Sequence, residues 1–252
     1  MEFCKKCKQE VSSQDNFCQY CGNLINKKTN EYNREVLNSI IGFYTIIICY
    51  IGLSSVIYLT YPENIITEII VETIFIGIVL VFCAYNLNEM ISLSKIPQIN
   101  LRFFTKLLPL TILFSYLIYF GIGGLNELLF FEDSLNLIYQ YTYTGYPLFW
   151  SIIFIAIIPP IFEELAFRGY LFNQLSKIIS IELTIIATAI LFALVHLSFI
   201  SIIWIFPFGL FLGYLRNKYN SLWIPMLIHF VHNSIVLMTD YYYYHKEITE
   251  II

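Results

Sequence analysis

The sequence predicts an all-α fold, a polytopic membrane bundle of about seven transmembrane helices with a small zinc-ribbon module at its N-terminus. Three observations predict it. Hydrophobic residues make up 58% of the chain and charged residues 13%, and the mean hydropathy of +0.69 lies outside the balance of a soluble domain. From Asn38 onward apolar runs recur, each near the ~20 residues a helix needs to cross a bilayer. The polar exception is residues 1–26, which hold two Cys-x-x-Cys pairs.

In that first module, Cys4-Lys5-Lys6-Cys7 and Cys18-Gln19-Tyr20-Cys21 are separated by ten residues. A two-residue gap lets both sulfurs of a tight turn reach one tetrahedral metal. Gly22 suits the left-handed conformation that closes such a knuckle, whereas Lys8 holds the matching position of the first. Two disulfides are the alternative, disfavoured for a polar module held in a reducing compartment. The pattern resembles the short zinc ribbons at the N-termini of many bacterial membrane proteins. Cys4, Cys7, Cys18 and Cys21 would then bind structural zinc, and the module would offer a contact surface to a protein partner.

Residues 27–37, with Lys27, Lys28, Asn30, Glu31, Asn33 and Arg34, read as a polar linker. Residues 38–146 hold the first transmembrane helices and an outer loop, residues 147–241 the core that carries the chemistry, and residues 242–252 a tail. Spans are expected at Asn38 to Tyr61, Ile69 to Met90, Lys106 to Leu125, Pro147 to Leu175, Glu182 to Leu197, Ile200 to Arg216 and Ser221 to Tyr241. The stretch before them is polar, so the first span is expected to act as its own insertion signal.

The charges between spans alternate. Lys27, Lys28 and Arg34 precede the first span, Lys95, Arg102 and Lys106 follow the second, Arg168 and Lys177 follow the fourth, and Arg216 and Lys218 follow the sixth. The intervening segments carry Glu63, Glu68, Glu127, Glu132 and Asp133 without a basic residue. The positive-inside rule therefore puts the N-terminus in the cytoplasm of a multi-pass cell-membrane protein. The net charge of −4 and the scatter of basic residues exclude a nucleic-acid-binding face. Tyr139, Tyr141, Tyr143, Tyr146 and Tyr241 to Tyr244 read as interfacial belts. His245 reads as inert, and Cys49 and Cys83 as small apolar groups within spans.

The densest chemistry lies between Pro159 and Phe172. Glu164 and Arg168 are i,i+4 neighbours on a helix, acid first, and can neutralise each other. Glu163 points about 100° away and finds only Ala166 and Phe167 at i+3 and i+4. An ionisable side chain in an apolar span is costly and marks a functional site or an interfacial anchor. Pro159 and Pro160 lack amide protons, so the carbonyls of Ile155 and Ala156 lose their donors and the helix should kink just before the acids. Farther on, Phe192-x-x-x-His196 and His229-x-x-x-Asn233 put further polar groups on apolar helices. His196 is expected inside its span, and His232 is expected to point away from His229. Glu163 and His196 are equally far from a turn near Ile179 and Ser180, so an antiparallel hairpin would bring them level.

Glu163-Glu164-x-x-x-Arg168, Phe192-x-x-x-His196 and His229-x-x-x-Asn233, flanked by Arg168-Gly169-Tyr170-Leu171 and Ser221-Leu222-Trp223-Ile224-Pro225, resemble the successive motifs of the CPBP intramembrane proteases. This is the CAAX-protease and bacteriocin-processing, or Abi, family, and the resemblance covers about Trp150 to Leu237. It implies that Glu163 and His196 activate a water against a peptide carbonyl, and that His229 and Asn233 donate to the oxyanion. Glu164 and Arg168 would hold the acidic helix in place. A catalytic zinc is not favoured, because the HExxH helix of zinc proteases is absent, although Glu163, His196 and His229 have the ligand types of such a site. The implied substrate is a peptide or membrane protein in the bilayer. The competing reading is a non-catalytic scaffold or bacteriocin self-immunity protein that binds a partner through the zinc ribbon. A transporter lacks the paired broken helices such folds use.

Overall fold

The computed structural model describes residues 2–4, 6–11, 20–21, 27–97, 101–130, 137–197 and 199–251. Cys18, Gly22, Glu132 and Asp133 lie outside the described residues. In the N-terminal module, β1 (Glu2–Phe3) and β2 (Glu10–Val11) pair antiparallel, with Glu2 opposite Val11. Lys8 closes the turn between them at φ 62°, the left-handed conformation its knuckle position demands. Its amide donates to the Cys4 carbonyl at 2.9 Å.

The rest of the described chain is helical: α1 (Lys27–Thr60), α2 (Ile65–Tyr85), α3 (Leu87–Leu93), α4 (Leu101–Phe130), α5 (Pro147–Leu175), α6 (Ile181–Leu194), α7 (Phe199–Tyr219) and α8 (Trp223–Ile251). Local signals fix several ends. Asn64 caps α2 by accepting from the Ile66 amide, Ser180 caps α6 by accepting from the Leu183 amide, and each leaves a carboxylate, Glu68 or Glu182, in the first turn where the helix dipole favours it. The stretch read as a polar linker is the start of α1, and the stretch read as a tail is the end of α8. The second expected span is interrupted at Asn86, so that α2 and α3 are separate helices.

Among the described residues, four stretches are long and apolar enough to cross a membrane: Asn33–Thr60, Ile65–Tyr85, Thr105–Leu125 and Pro147–Leu175. Their outward faces are apolar, with Ile41, Ile48 and Val56 on α1, Ile70 and Val81 on α2, and Leu113 and Leu117 on α4 all exposed. Such extended apolar surface is suited to lipid, not water. The α6 helix is shorter than the span expected there, Glu182 to Leu197. That helix has 14 residues, about 21 Å at ~1.5 Å per residue against a ~30 Å hydrocarbon core.

The helix α6 forms a hairpin with α7. A Cβ at Gly209 would lie 3.1 Å from Ala189 Cβ, and one at Gly213 would lie 3.3 Å from Ile185 Cγ2, so α7 descends against α6 in antiparallel register. The main core joins α1, α2, α5 and α6 around Phe43, whose ring meets Phe82 edge-on at 5.0 Å and Tyr170 at 5.2 Å. Tyr141 belongs to the interior and not to a belt. It is buried and stacks on Phe154 at 6.1 Å, whereas Tyr139 and Tyr146 are exposed as expected.

Candidate active site

The prolines of α5 shape the site. The helix adopts the wider π register over Ile152–Ile157 and again over Glu164–Leu171. In α register the Ile155 carbonyl would accept from residue 159, and in π register from residue 160, and both are proline. Neither register can satisfy it. Asn233 of α8 does so, donating from Nδ2 at 2.8 Å. The expected kink therefore takes the form of a π segment, and the freed carbonyl fixes the amide of a motif residue.

One turn later, Glu164 and Arg168 are fully buried and paired at 2.9 Å through Nη1 and Oε1. Arg168 Nη2 donates to the Gly209 carbonyl at 3.1 Å, and the guanidinium lies 4.2 Å above the Phe192 ring. Further polar contacts offset part of the desolvation cost of such a pair, while Glu164 Oε2 and Arg168 Nε have no hydrogen-bond partner among the described residues. Glu164 Oε1 accepts a second bond, from His229 Nδ1 at 3.0 Å, which leaves His229 Nε2 directed at Glu163 Oε2, 3.9 Å away. That separation is an ion-pair contact but too long for a hydrogen bond. Glu163 thus has no basic partner on its own helix.

His196 lies just beyond α6 and not inside it. Its amide bonds the Ala193 carbonyl at 3.3 Å, and Leu197 follows at φ 50°, which ends the helix and turns the chain toward α7. Because α6 stops short, its C-terminal turn is brought to the depth of the acids. His196 Nδ1 is 2.9 Å from the Phe192 carbonyl. A carbonyl only accepts, so Nδ1 carries the proton, and in the neutral ring Nε2 is a bare acceptor.

Glu163, His196, His229 and Asn233 all line one cavity of about 370 Å³. Glu164 and Arg168 sit behind it, holding His229 and the helix. His232, expected to point away, lines the same cavity. The Ser115 hydroxyl donates to the Thr111 carbonyl, so it accepts from His232 Nδ1 at 2.8 Å, and His232 Nε2 has no hydrogen-bond partner among the described residues. Sequence reasoning also missed Trp204 and Glu72. The Trp204 indole lines the cavity with a buried Nε1 that has no partner among the described residues. Glu72 lines a second, smaller cavity that also reaches Glu163 and His196. Its signal, a carboxylate inside an apolar span, was legible.

Residues 145–235 match the family model of type II CAAX prenyl endopeptidase Rce1-like proteins. Over those residues the bundle core is similar to the Rce1-like, CAAX-type proteases. The match runs from the turn before α5 into α8 and contains every motif residue, leaving α1 to α4 and the cysteine module outside it. No curated protein and no solved structure matches the chain.

Outside the matched residues, Cys4, Cys7 and Cys21 have their sulfurs within 4.8 Å of one another, a set able to hold a metal ion. The Cys4 and Cys21 sulfurs are 3.6 Å apart, well beyond the ~2.05 Å of a disulfide. The backbone amide of Cys7 pulls the Cys4 thiol down from 9.0 to about 6, toward the thiolate a metal requires.

Proposed function

We propose that this chain is an intramembrane endopeptidase in which Glu163 and His196 activate water and His229 and Asn233 receive the oxyanion. The observation that carries the reading is that these four groups, from three separate segments, line one largely apolar cavity. Glu163 takes a proton from water, whose oxygen bonds to the scissile carbonyl carbon, and the C–N bond breaks as the proton passes to the departing amine. His196 Nε2 accepts from the same water. His229, held through Nδ1 by Glu164, donates through Nε2 when doubly protonated, and the second Nδ2 proton of Asn233 completes the pair of donors.

A catalytic zinc at Glu163, His196 and His229 would polarise the carbonyl or the water. Such a zinc is not favoured, because the HExxH helix of zinc proteases is absent from the sequence, and the hydrolytic step is assigned to the side chains themselves. The apolar lining, including Ile118, Phe154 and Phe208, suits a peptide with aliphatic or prenylated residues beside the cleaved bond. The cysteine module, completed by Cys18, is read as a structural zinc ribbon that contacts a protein partner. Lysine and arginine between alternate spans support a cytoplasmic N-terminus.

The test is cleavage of a farnesylated CAAX-type fluorogenic peptide by the reconstituted protein and by Glu163→Gln. Wild-type cleavage that the variant loses, at equal abundance in the membrane, supports the reading. A Glu163→Gln protein that retains full cellular function would overturn it in favour of a scaffold.

A further inference from the structure

Glu163, His196 and Pro159 line two cavities at once. The larger faces α4, α7 and α8. The smaller, about 150 Å³, lies on the α1 and α2 side, where Tyr50, Glu72 and Phe75 complete its wall. Glu72 is partly buried within a span, and its carboxylate makes no hydrogen bond or ion pair with any described residue. A carboxylate in that setting is retained only if water solvates it, and the cavity has room for several waters with polar partners on two sides.

A peptide seated in the larger cavity covers Glu163 and His196 from that side and excludes water from it. Hydrolysis nevertheless consumes one water for each bond cut. We propose that the smaller cavity is the water entry of the active site, and that Glu72 is a positioning residue that holds the nucleophilic water for Glu163 and His196. The reaction stays balanced as written above, because Glu72 only accepts hydrogen bonds from water and exchanges no atom with substrate. The placement of Glu68 supports a route inward. It lies one turn before Glu72 on α2, near the helix start, and accepts from the Tyr58 hydroxyl at 2.8 Å, so carboxylates line α2 from its first turn to the cavity.

This inference rests on the peptidase reading, and its test separates the two. Glu72→Leu, Glu72→Gln and wild type are reconstituted at full length and assayed on the farnesylated CAAX-type peptide. Glu72→Leu is expected to lower kcat at least tenfold with KM changed less than twofold, and Glu72→Gln, whose amide still binds water, to recover most of that loss. In a separate arm, Glu72→Cys is treated with a charged methanethiosulfonate and position 72 is read by mass spectrometry. Modification there, with lipid-facing Cys49 of the same chain unmodified, supports a wet cavity. Unchanged kcat in Glu72→Leu, or an unmodified Cys at position 72, overturns the proposal. If wild type cleaves nothing, the peptidase reading falls, while the labelling arm still decides whether water fills the cavity.

Discussion

Asn233 donates to the Ile155 carbonyl at 2.8 Å, and it does so because the two successive prolines at 159 and 160 strip that carbonyl of both helical donors. Removing the amide should leave a buried acceptor unsatisfied, at a cost of about 1–3 kcal/mol. Asn233→Leu is therefore expected to lower thermal stability in detergent. The double variant Asn233→Leu/Pro159→Ala restores an amide proton within reach of Ile155 and should regain part of the loss. Equal melting temperatures for the single and double variants would contradict this account.

Stability and activity should part company at the buried ion pair. Arg168→Met strands Glu164, which is fully buried, and is expected to cost about 3–5 kcal/mol. Adding Glu164→Gln removes the stranded charge, so the double variant should melt closer to wild type. Cleavage of the farnesylated peptide should stay low in it, because His229 loses its carboxylate partner at 3.0 Å. Recovery of both properties together would show that Glu164 serves only Arg168.

Gly209 carries two constraints at one position. Its carbonyl accepts from Arg168, and an added Cβ would meet Ala189 Cα at 3.2 Å and Arg168 Nη2 at 3.3 Å. Gly209→Ala should wedge α6 from α7 and destabilise by about 1–3 kcal/mol, with Ala189→Gly as a partial rescue. Gly169→Ala should be milder. Its closest neighbour is the mobile end of the Met90 side chain, which can swing aside. Thermal melts of the three variants rank these effects.

Metal content gives a count for each site. Replacing Cys4, Cys7 and Cys21 with serine in the full chain should remove one zinc per protein, measured by elemental analysis of the purified membrane protein. Peptidase activity should survive at the assigned residues if the module is structural only. A zinc that persists in the variant and is lost in His196→Ala would instead point to a metal at the acids.

The sequence by itself determined the membrane class, the helical segments, the cysteine module, the Glu164–Arg168 pair and the identity of the three motifs. Each depends on composition or on spacing along one element, where helix periodicity and hydrophobicity are local properties of the chain. What only the tertiary structure decided depends on neighbours distant in sequence. It ended α6 before His196, turned His232 toward the cavity where Ser115 could hold it, attached Asn233 to Ile155, and brought Glu72 of α2 to a second cavity beside Glu163. Those outcomes follow from which orphaned carbonyl, buried charge or unfilled space one helix presents to another, and no window along a single segment contains both partners.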